Sequence, residues 1–79
     1  MALIRKFVHR ASAHAGYRSE VECGYAFSSQ NGEPLLHLET YGSSSRAIPG
    51  KVSQSIQLDR KAARELRDLI DKAFPDLPR

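Results

Sequence analysis

"VSQSIQLDRKAARELRDLIDKAF", residues 52–74, changes its hydrophobic period once, at Asp59. Before Asp59 the period is two. Val52, Gln54, Ile56 and Leu58 fall on one side and Ser53, Ser55 and Gln57 on the other, the alternation of a half-covered β-strand. After Asp59 the period is helical. Ala62, Ala63, Leu66, Leu69, Ile70, Ala73 and Phe74 form a stripe wide enough to lie on a sheet. Asp59 stands where a carboxylate caps the first free amides of a helix, and Pro75 stops the run. The polar side carries Lys61/Glu65, Arg64/Asp68, Arg67/Asp71 and Asp68/Lys72, opposite charges four residues apart. Read this way, the helix is self-neutralising and structural.

Upstream lies a hairpin. In "EVECGYAF", residues 20–27, Val21, Cys23, Tyr25 and Phe27 share one face, and Glu20, Glu22, Gly24 and Ala26 the other. Asn31-Gly32 supplies the positive backbone angles of a tight turn. "LLHLETY", residues 35–41, returns with Leu36 and Leu38 inward and Leu35, His37, Glu39 and Tyr41 outward. Phe27 is assigned to the core, and Cys23 is read as a small buried apolar residue. Tyr25 and Tyr41 stay open between core and surface. In residues 1–18, Leu3, Ile4, Phe7, Val8 and Ala11 fit a basic amphipathic helix that Gly16 could end. The segment is read instead as a basic arm or an edge strand, because a helix this short needs a surface to dock on. The expected fold is α+β: an antiparallel sheet of three to four strands spanning residues 19–58, then one long C-terminal helix over residues 59–74. All 79 residues form a single domain.

Size and composition exclude several classes. A chain of 79 residues has a core only marginally sufficient by itself. Its 41% hydrophobic and 27% charged residues make an ordinary globular mixture, not a disordered one. A single cysteine excludes an internal disulfide and points to a reducing compartment. No apolar run approaches the roughly 18 residues of a membrane span, and "MALIRKFVHR" has no cleavage pattern after it. The expectation is a soluble cytoplasmic protein with no membrane contact.

The net charge of +3 is segregated along the chain. Arg5, Lys6, Arg10 and Arg18 precede any acid, Glu20, Glu22, Glu33 and Glu39 follow without a base, and Arg46, Lys51 and Arg60 then face Asp59 alone. This suits a basic surface for a polyanion, or two oppositely charged surfaces that pair between subunits. A solvated mixed surface is the plain alternative.

No enzyme chemistry is legible. Gly42 and Gly50 stand seven residues apart, and Val52 follows Lys51, so the nucleotide-binding Gly-x4-Gly-Lys-Ser/Thr loop is absent. The connection between the second and third expected strands instead displays Arg46 and Lys51. Either those cations approach a phosphate backbone or the loop is simply solvated. His9, His14, Cys23 and His37 lack the spacing of a zinc site. Ser43–Ser45 have no flanking nucleophile-elbow glycines. The expectation is a non-enzyme without metal or cofactor.

The order of elements resembles the positive cofactor four family of transcriptional coactivators. The likeness is carried by "EPLLHLETY" (33–41), "PGK" (49–51) and "SIQLDRKAARELRDLI" (55–70), and covers roughly residues 19–74. The resemblance implies a four-stranded antiparallel sheet followed by a helix, dimerisation through helices and strands, and binding of single-stranded or unpaired DNA along the sheet. It also implies that Arg46 and Lys51 approach the backbone and that Tyr41 stacks on a base. This chain departs from the family in three ways: two extra residues after Lys51, no tryptophan, and Glu20 and Glu22 where basic residues are usual. Arg5, Lys6, Arg10 and Arg18 are the cations that would overlay those carboxylates.

Two functions are therefore expected. The first is a single-stranded nucleic-acid-binding homodimer, DNA or RNA, serving as a transcription or DNA-maintenance cofactor. The site would comprise Arg46, Lys51, Tyr41, Arg18, Arg10, Lys6 and Arg5. The alternative is a protein–protein interaction module whose basic N-terminal segment docks on an acidic partner.

Overall fold

The computed structural model describes residues 1–11, 20–41 and 52–78. Four strands and one helix follow in the order β1 (Ala2–Ile4), β2 (Cys23–Gln30), β3 (Glu33–Tyr41), β4 (Val52–Leu58) and α1 (Arg60–Ala73). They form one sheet, ordered β1-β4-β3-β2, and the α+β architecture is the expected one.

The hairpin forms where the turn chemistry places it. Asn31 has φ 53° and Gly32 φ 82°, and Gln30 pairs with Glu33 across the two-residue turn. The β3–β4 pairing is also antiparallel, with Leu36 opposite Leu58 and Leu38 opposite Ile56. Ser53 is the extra residue of a bulge, since Thr40 pairs with Gln54 and Tyr41 with Val52. Its hydroxyl donates to the Thr40 carbonyl at 3.3 Å.

One pairing corrects the expectation of an antiparallel sheet. The first strand lies along the free edge of β4 in parallel, Ala2 opposite Ile56 and Ile4 opposite Leu58. Parallel neighbours need a long connection, and here the whole β2–β3 hairpin intervenes between them. The basic residues Arg5 and Lys6 follow directly, and a strand so short and so flanked resists pairing with another chain. Phe7 then passes beside the helix, its amide donating to Glu65 Oε2 at 3.0 Å.

Asp59 caps α1 as its position demands, with Oδ1 accepting from the Ala62 amide at 2.9 Å. The core gathers at this junction. Leu58, 1% exposed, closes β4, Ala62 sits in the first helical turn, and Leu35 is sealed near the start of β3. The sequence places Leu35 on an open face. It is buried because its position lies level with Asp59, where the chain turns into the helix. From Leu69 onward the apolar stripe is uncovered: Leu69, Ile70 and Phe74 are exposed, as is Leu77 beyond the helix.

Candidate nucleic-acid interface

The register divides the sheet into two unlike faces. Cys23, Tyr25, Phe27, Leu36, Leu38, Ile56 and Leu58 share one; Gly24, Ala26, His37, Glu39, Ser55 and Gln57 share the other. Helix α1 packs against β3 and β4. Edge strand β2 stays outside its reach. Tyr25 is consequently 71% and Phe27 81% exposed, their rings meeting edge to face with centroids 5.8 Å apart. This corrects the core assignment of Phe27. Cys23, on the same strand, is exposed as well, which corrects its reading as a buried residue.

Between this strand and the helix runs an open groove of about 490 Å³. Phe27, Pro34, Leu36 and Leu58 line its sheet side; Ala63, Arg60, Arg64 and Arg67 line its helix side. Asp59 is the single acid on its wall, and that carboxylate is engaged by the Ala62 amide and by Arg5 at 3.7 Å. A second opening, about 700 Å³, adjoins it around the helix start and adds Arg5 and Lys61 together with Glu33. Of the four expected pairs along the helix, Lys61–Glu65 closes, at 3.7 Å. Arg60 and Arg64 have no carboxylate within ion-pair distance among the described residues. The helix is thus less self-neutralised than its spacing suggests.

The opposite face carries a polar array on β3. Tyr41 donates its hydroxyl hydrogen to Glu39 Oε1 at 2.9 Å, and His37 Nε2 donates to Oε2 at 3.1 Å. The tyrosine hydrogen bond, then the histidine one, holds the Glu39 carboxyl below its usual value. The same bond to Glu39 raises Tyr41 above an ordinary phenol. Tyr41 reaches this position across Gly24, where an added Cβ would collide with its hydroxyl. Among the described residues, no three of His, Cys, Asp and Glu converge as a metal site would require.

The expected site residues are scattered by the fold. Arg18, Arg46 and Lys51 lie outside the described residues. Lys6 and Arg10 are exposed on the segment after β1, and Arg5 is tied to Asp59. Tyr41 is half-buried and hydrogen-bonded on the polar face, whereas the freely exposed rings are on the other. Arg60, Arg64 and Arg67 are not in the expected site; Arg64 and Arg67 fall in opposite-charge pairs at i+4, and Arg60 follows Asp59 directly. Their shared i, i+4, i+7 spacing was the signal that could have revealed one stripe. Among the described residues no helix is long and apolar enough to cross a membrane. No family model, curated protein or solved structure matches the chain.

Proposed function

We propose that the chain is a non-enzymatic binding protein for single-stranded nucleic acid that acts as a homodimer. One observation carries the reading: Tyr25 and Phe27 stand side by side on an open sheet face, exposed at 71% and 81%. Rings so exposed contribute little to the core, while each could stack on an unpaired base for roughly 1–3 kcal/mol. The groove that Phe27 borders is cationic, which suits the backbone of the same ligand. The resemblance to the positive cofactor four family points the same way.

The dimer rests on uncovered area. Leu69, Ile70 and Phe74 supply an apolar strip for a second copy, distant in sequence from the aromatic pair. The exposed basic residues Lys6 and Arg10 favour a second reading, an interaction module for an acidic protein.

Fluorescence anisotropy with a labelled oligothymidine separates the two. Binding that weakens steeply between about 50 and 200 mM salt supports the nucleic-acid reading. A flat signal at tens of micromolar protein and low salt contradicts it and favours the interaction module.

A further inference from the structure

We propose that the phosphate backbone of the bound strand runs along the first half of α1, held by Arg60, Arg64 and Arg67. The assignment rests on the single-strand reading above and deepens it: it names the cationic track that accompanies the aromatic pair.

Three observations converge. The first is spacing. At 1.5 Å per residue, the three guanidinium stems rise over about 10 Å of one helix side, so all three can reach one short stretch of backbone. Asp71, four residues beyond Arg67, ends the stripe. The second is charge. Arg60 and Arg64 have no carboxylate within ion-pair distance among the described residues, and the groove's acid, Asp59, is already engaged by Arg5 and by the Ala62 amide. Cations left in this state attract a polyanion more strongly than paired ones, and arginine's planar fork suits phosphate oxygens. The third is what faces them. Across the groove lies Phe27, with Tyr25 against it, so bases and backbone of one strand meet rings and cations on opposite walls. A groove of about 490 Å³ is within the size range of ligand sites, about 300–1,000 Å³. Its occupant must be anionic at short intervals and present flat apolar surfaces. A single nucleic-acid strand satisfies both conditions.

The test is the salt dependence of oligothymidine binding by the full chain, wild type against the triple variant Arg60→Gln/Arg64→Gln/Arg67→Gln. Glutamine keeps good helix propensity, and circular dichroism reports whether the helix survives. The slope of log affinity against log salt should become shallower by about 2, from roughly 0.7 per phosphate contact, with affinity about 100-fold weaker at 0.1 M salt. Lys72→Gln, on another side of the helix, should leave the slope unchanged. Wild-type binding with an unaltered slope in the triple variant overturns this track while the binding function stands. A wild type that does not bind overturns both. Should the triple variant lose its helix, Arg64→Gln alone decides: a slope shallower by about 0.7 supports the track, and an unaltered one overturns it.

Discussion

Gly24 and Tyr41 show how one missing side chain sets a local electrostatic state. The tyrosine can lie across β2 only because position 24 has no Cβ, and from there its hydroxyl reaches Glu39. Gly24→Ala should push the ring aside and break that bond. The titration midpoint of Tyr41, held high by Glu39, would then fall toward the ordinary tyrosine value in an ultraviolet absorbance titration. An unmoved midpoint would show that the ring finds its partner without the glycine. The pH dependence follows from the same bond. Because Glu39 is depressed in the folded chain, its contribution to stability is present above the ordinary carboxylate value. It is lost as pH falls through the depressed one. Tyr41 acts at the other end, since its raised value means stability is lost as pH rises through it. Urea midpoints measured across the acid range should therefore fall less steeply for Glu39→Gln than for wild type. Equal acid limbs would contradict the assignment.

The elements that sequence made legible are those governed by neighbours along the chain. Asp59 caps α1 because a short carboxylate before a helix reaches the amides of its own first turn, and Asn31-Gly32 turns the hairpin because both positions need positive φ. Asp59→Ala should cost about 1 kcal/mol of unfolding free energy, read from the urea midpoint. No change would mean that the cap and the Arg5 contact are both dispensable. What sequence left hidden depends on how elements meet. Alternation says that Tyr25, Phe27 and Leu36 share a face, but not that α1 stops short of the edge strand, so Phe27 was expected in the core. Three residues of β1 carry no signal of the parallel partner they take. The helix charges illustrate the same limit. Spacing says which side chains could pair, but not that Arg60, Arg64 and Arg67 line one groove.

At the scale of the whole molecule, only Leu35, Leu58 and Ala62 are buried hydrophobic residues among those described, a small core for a chain of this length. A second copy over Leu69, Ile70 and Phe74 would enlarge it. Sedimentation at micromolar concentration should give twice 8.8 kDa, and Ile70→Glu should return the mass to that of one chain. A wild-type monomer at that concentration would contradict the dimer. The aromatic pair makes a different demand, because it is proposed to serve a ligand and not the fold. The most direct measurement is the double variant Tyr25→Ala/Phe27→Ala, followed by urea unfolding and by oligothymidine binding on the same preparation. Stability should hold to within about 0.5 kcal/mol, as for exposed positions in general, while affinity falls at least about 10-fold from lost stacking. Unchanged affinity, or a variant that no longer folds, would contradict the account.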